Sequence, residues 1–152
     1  MKSKVHMIAG LMSVTCIAGF WSSTLVSELF LSHTAVAAVK AGIVDAFVLF
    51  IPLMIMTAGT GFAMGGQSTQ PLILAKRRRM PLIGLNGLLV MIPAAFFLSG
   101  KAGAGEFDGW FYGVQTLELL AGAANLFLMG LNIRDGMRSS GRLAPRPNAS
   151  QI

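Results

Sequence analysis

Four long apolar runs, residues 5–31, 34–64, 80–99 and 110–133, constrain what this chain can become more than anything else in it. Crossing the hydrocarbon core of a bilayer takes about 20 apolar residues per helix, and each run reaches that length. In lipid such runs must be helical, because only a helix or a closed barrel bonds all of its own backbone N–H and C=O groups. Hydrophobic residues make up 54% of the 152 and charged residues 12%, against about 25% charged in a soluble globular protein. An ordinary soluble domain is excluded. Short connections place successive helices side by side and antiparallel. The expectation is therefore one all-α domain over residues 1–138, an integral membrane up-down four-helix bundle. Residues 139–152, with Ser, Gly and two Pro but no apolar period, read as a disordered cytoplasmic tail.

Charge placement gives the expected orientation. Of the twelve basic residues, Lys2 and Lys4 precede the first run, Lys76, Arg77, Arg78 and Arg79 sit in the second connection, and Arg134, Arg138, Arg142 and Arg146 follow the fourth run. By the positive-inside rule both termini and the connection over residues 65–79 are cytoplasmic. The net charge of +6 thus reads as a topology signal beside anionic headgroups, with no nucleic-acid partner. Glu28, Asp45, Glu106, Asp108 and Glu118 lie in the opposite, outer half, and only Asp135 lies inside. Carboxylates contribute little to orientation, so this asymmetry asks for another cause. The first run, led by Met-Lys-Ser-Lys and followed by Ala35-Val36-Ala37, imitates a signal peptide, but it exceeds an h-region of about 7–15 residues. It is read as a retained helix.

The fourth run carries a polar seam. Gln115, Glu118, Gly122, Asn125, Met129 and Asn132 follow one another at steps of three and four and so line one helical face. Leu117, Leu120, Phe127 and Leu131 lie on the others, suited to hydrocarbon. In the first run Gly10, Ile17, Trp21, Thr24 and Glu28 share a face. The second run holds Lys40 and Asp45, and a charge inside a span is a functional hypothesis by default. Counted from the outer end at helical rise, Asp45 lies about 15 Å deep and Glu118 about 12 Å, which lets the two carboxyls share one level. Pro52 is expected to kink the second helix. The string Thr57-Ala58-Gly59-Thr60-Gly61 favours close helix approach, and Asn86 and Pro93 of the third helix, two turns apart, share a face. Trp110, Phe111 and Tyr112 read as interfacial anchors.

These residues limit the chemistry. Paired Glu-x-x-His units of a di-metal bundle and phosphate-binding glycine loops are missing from the sequence. Cys16 is alone in an apolar run and reads as a small buried hydrophobe. No metal is expected; His33 with Glu28, Glu106 and Asp108 could gather as a mixed nitrogen and oxygen site, without any metal spacing to support it. A b-type haem using His33 or His6, with methionine as second ligand, is an alternative cofactor reading. The two histidines are separated by about 40 Å of helix and cannot grip one iron together. The seam supports a third class, in which Glu118 and Asp45 are the central acids, Gln115 and Asn125 supply hydrogen bonds and Lys40 balances charge, around a proton or small polar ligand.

Arg79-Met80-Pro81 with Leu85-Asn86-Gly87, the block Ala104-Gly105-Glu106-Phe107, and Gly130-Leu131-Asn132-Ile133-Arg134-Asp135-Gly136 give the chain a likeness covering most of its length. It resembles a family of small four-helix proteobacterial inner-membrane proteins recorded as hypothetical transmembrane proteins. The resemblance implies an inner-membrane location and supplies no activity. The expected role is non-enzymatic: an accessory or small transport-type module with a protonatable site in its outer half, with the lipid bilayer and a homo-oligomer or larger membrane complex as partners. The alternatives are the b-type haem electron carrier and a purely structural subunit of a larger complex.

Overall fold

A computed structural model describes residues 2–65 and 71–139. Among them the regular structure is entirely helical: α1 (Lys2–Phe30), α2 (His33–Gly65), α3 (Pro71–Asn86), a π-helical turn (Gly87–Met91), α4 (Ile92–Gly103) and α5 (Gly109–Ser139). The segment α3–π–α4 is one continuous rod, so the helices form four rods. Each has a stretch long and apolar enough to cross a membrane: Lys4–Phe30, His33–Ala63, Arg78–Gly103 and Gly109–Arg138. The tail expected beyond Ser139 lies outside the described residues.

Neighbouring rods run antiparallel around a square. α1 packs on α2 and α5, and the third rod packs on α2 and α5; α2 and α5 make no close backbone approach and stand on opposite corners. Two tight connections close one end, here the turn end. Ser32 caps α2 by accepting the N–H of Ala35 at 3.3 Å. At the end of α4, Gly105 adopts φ +73, while its N–H bonds Ala102 O and that of Glu106 bonds Lys101 O. This is a Schellman stop, and glycine is needed there because an L side chain resists the left-handed backbone. Asp108 then accepts the Phe111 N–H at 2.9 Å and caps α5. Lys101 Nζ holds both Glu106 and Asp108, at 2.8 and 2.6 Å.

The core has two parts. Ile17, Ile43, Phe47, Phe50, Ile83, Ala95 and Met129 form the central cluster. Val36, Leu98, Ala102 and Phe111 form a second beneath the turn end, with Phe107 packed on it. Phe111 is fully buried while Trp110 and Tyr112 stay exposed, so the expected aromatic anchor is two residues rather than three. At the other, terminal end, α1 and α2 meet closely, as the small-residue string predicts: a Cβ on Gly10 would touch Thr57 Cγ2, and one on Gly61 would strike Met80 and His6.

Three expectations are corrected here. The connection placed over 65–79 is largely helix, because α3 already begins at Pro71; proline is pre-set for a first helical position, and Lys and Arg are good helix formers. The helix of the fourth run likewise continues past Ile133 to Ser139. Asn86 and Pro93 do not share a face: Asn86 bonds α5, while Pro93 is exposed. The π turn between them holds more residues per turn than an α-helix and rotates the two apart. α2 passes through Pro52 without ending.

Candidate functional site

The seam of α5 faces inward along its length. Gln115, Glu118, Gly122, Asn125 and Met129 are buried, and Leu117, Leu120 and Phe127 are exposed. On α2 the inward positions are Val36, Lys40, Ile43, Phe47, Phe50 and Leu53, spaced by threes and fours. Lys40 therefore points across the bundle, and its side chain is 1% exposed. Its Nζ lies 2.6 Å from Glu118 Oε2, joining the two rods that stand on opposite corners, and 3.4 Å from Thr24 Oγ1 on α1. Gln115 Nε2 donates to the same Glu118 oxygen at 3.2 Å. Three rods thus meet in one buried ion pair near the turn end.

Glu28 completes the cluster. It lies within electrostatic reach of Lys40, His33 and Glu118. Its Oε1 is buried and accepts no hydrogen bond among the described residues, and the same holds for Gln115 Oε1. Leaving a buried acceptor without a donor costs about 1–3 kcal/mol. Two in one cluster, beside two carboxylates and one ammonium, leave the group short of donors. A proton on Glu28, or a small donor among these atoms, is what the arrangement can take up.

Asp45 is not part of it. Its side chain lies on the exposed outside of α2, so the expected pairing of Asp45 with Glu118 is replaced by Glu28 with Glu118. The cause is helical geometry: five residues from Lys40 is a rotation of about 140° at 3.6 residues per turn, which turns Asp45 away when Lys40 faces in.

Asn125 sits deeper on the seam and is fully engaged. It accepts from Asn86 Nδ2 at 2.9 Å and donates to Met91 Sδ at 3.3 Å, while Asn86 also donates to Ala121 O. This ties the π turn to α5, two rods away from Lys40. Trp21 Nε1 donates to Leu119 O at 2.9 Å, and Trp21 Cδ1 would lie 2.9 Å from a Cβ on Gly122. Only glycine in the α5 seam lets this ring in.

No family model, curated protein or solved structure matches this chain. The site therefore stands on its own geometry. The two histidines lie at opposite ends of the bundle. His33 is exposed at the turn end, its ring stacked on Phe107 with centroids 4.0 Å apart. His6 lies at the terminal end, its Nδ1 3.1 Å from Thr57 O and 3.0 Å from Thr60 Oγ1. The mixed site of His33, Glu28, Glu106 and Asp108 does not assemble: among the described residues no three His, Cys, Asp or Glu side chains gather as metal ligands. Glu106 and Asp108 turn to Lys101 instead.

Proposed function

We propose that the protein is a multi-pass inner-membrane protein with both termini cytoplasmic and the turn end outward, acting as a non-enzymatic accessory or small transport-type module. Its working part is the cluster of Lys40, Glu118, Gln115 and Glu28, which binds and releases a proton. The observation that carries this reading is the buried 2.6 Å Lys40–Glu118 pair flanked by two buried acceptors without donors. A purely structural ion pair is stable when its remaining lone pairs are met; this one is left open toward Glu28. Glu28 is half-buried and His33 is exposed, so the pair lies on a route from the outer surface to the interior. Four rods of this size suit a homo-oligomer or a larger membrane complex, which would use the exposed apolar surface.

The test is an infrared titration of the purified protein in lipid, following protonated-carboxyl absorption. A band that disappears in Glu28→Gln, and shifts in Glu118→Gln, supports the reading. A spectrum unchanged in both variants removes it. A reduced-minus-oxidised visible spectrum of protein made with haem available separates this reading from the b-type carrier.

A further inference from the structure

Beside the ion pair the bundle encloses a cavity of about 360 Å³, within the ordinary range for small-molecule sites of about 300–1,000 Å³. It is lined almost wholly by apolar side chains. Its exposed lining residues, Ile51 and Ile55 on α2 and Gly84 and Leu88 on the third rod, come from two adjacent rods only. The mouth therefore opens sideways between α2 and the third rod, midway along their length, and not at either end of the bundle. In a multi-pass protein that mouth faces lipid tails, so whatever enters comes from the bilayer.

Inside, Phe20, Phe47 and Phe50 contact one another with ring centroids 5.6–6.2 Å apart, and all three line the cavity together with Trp21. Thr24, Glu118 and Asn125 supply its polar side chains. Both amide atoms of Asn125 are engaged, Trp21 Nε1 is engaged, and Thr24 Oγ1 accepts from Lys40. Glu118 differs. Oε2 takes Lys40 and Gln115, while Oε1 accepts no hydrogen bond among the described residues. Oε1 is the acceptor left for an occupant.

We infer that this cavity binds a membrane-borne phenol of the hydroquinone type, its ring among Phe20, Phe47, Phe50 and Trp21 and one hydroxyl donating to Glu118 Oε1. Charge decides against other heads. Glu118 is the one charged residue among the lining residues and Lys40 already pairs it from outside the cavity, so a charged head would bring a net charge into a medium where unpaired charge is costly. A carboxylate only accepts, so the head must donate. The apolar walls ask for a ring or chain, and the aromatic lining favours a ring. This inference rests on the multi-pass reading but not on proton release by the cluster.

The test compares three probes by isothermal titration calorimetry on the full chain in detergent: tetramethylhydroquinone kept reduced, tetramethylbenzene and 1-decanol. The hydroquinone should bind at about one per chain. The hydrocarbon, identical in its ring and methyl groups, should bind at least about tenfold more weakly, since a hydrogen bond to a charged group is worth about 1.5–3 kcal/mol. Gly87→Leu should abolish binding: Gly87 lines the cavity, and a Cβ there meets nothing within 4 Å, so the larger side chain enters open space. Gly84→Leu, where a Cβ is equally free, is the second mouth-filling variant should the π turn be disturbed. Equal binding of hydrocarbon and hydroquinone, tighter binding of decanol, or binding that survives in both leucine variants would overturn the assignment. The carboxyl infrared bands of Gly87→Leu should match the parent protein, so failure of the cavity and failure of the proton site are told apart.

Discussion

Two ion pairs in this bundle have the same 2.6 Å contact and opposite surroundings. Near the terminal end, Arg79 of α3 meets Asp135 of α5, two adjacent rods. Arg79 donates to Oδ2 and reaches Asn132 at 3.5 Å, while Arg134 donates to Oδ1 through Nε and Nη2, both at 3.3 Å. Each carboxylate oxygen of Asp135 has a donor, and the Arg79 side chain keeps 22% of its surface exposed. The Lys40–Glu118 pair joins rods whose backbones make no close approach, is nearly closed to the outside, and stands beside acceptors that have no donor among the described residues. The first pair is a staple; the second is a polar centre with acceptors left over, held in place by the packing around it. Where every oxygen is met, an ion pair records how helices are fastened, and where oxygens are left over it records something still to be bound.

The largest effect that separates the two lies in breaking the pairs. Lys40→Met leaves Glu118 buried without its counter-charge and should cost about 3–5 kcal/mol, read as a lower unfolding midpoint in detergent. The double variant Lys40→Met with Glu118→Leu removes both charges and should recover most of that loss, while shifting the Glu28 carboxyl band rather than removing it. Arg79→Met leaves Asp135 with Arg134 as a donor and should cost clearly less. Equal losses at the two sites would erase the distinction drawn here.

Two glycines give a smaller contrast. At Gly122 an added methyl would meet the Trp21 ring at 2.9 Å, and that ring is fixed by its bond to Leu119 O. Gly122→Ala should therefore cost about 1–3 kcal/mol, the range for overpacking a filled core, and should shift Trp21 fluorescence. At Gly61 the nearest atom is the flexible end of Met80, which can swing aside, and the His6 ring comes next at 3.1 Å, so Gly61→Ala should cost less than Gly122→Ala. If Gly61→Ala proves the more damaging, the seam at the terminal end is the more rigid of the two.

Much of this was legible in residue spacing, and the failures have a common cause. The α5 seam could be read because six residues keep one helical period over five turns. The same rule applied to α2 selects Val36, Lys40, Ile43, Phe47 and Phe50 as the inward face, and places Asp45 outside; depth alone, without rotation, put Asp45 beside Glu118. Glu28 stood in the correct facial series with Trp21 and Thr24, but the central acids were chosen by depth within the spans, which passed over a residue so near the helix end. The π turn left a weaker trace. Asn86-Gly87 lies ahead of Pro93, whose missing N–H and ring disturb the preceding turn, yet nothing in the spacing says how the chain absorbs that disturbance. The cavity was not legible at all, since it depends on how far α2 and the third rod stand apart, a property of packing and not of either helix.

The smallest expected effect lies at the rim of the turn end and concerns Asp108. It is exposed, so its role is local: it caps α5 and answers Lys101. The Lys101 ammonium first, and the Phe111 N–H second, hold its carboxyl below the ordinary value of 3.8. A carboxyl lowered in the folded state contributes stability that is fully present above its unfolded pKa and is lost as pH falls through the folded value. Hydrogen exchange at the Phe111 amide should therefore be slow and constant above about pH 4, and protection should fall below it once the intrinsic acid dependence of exchange is divided out. Asp108→Asn keeps a side-chain oxygen that can cap the helix but has no proton to gain, so its protection should lack this acid step. The Glu28 carboxyl band should be unchanged in the same variant, because the cap lies at the surface and Asp108 is held by Lys101 and not by the buried cluster.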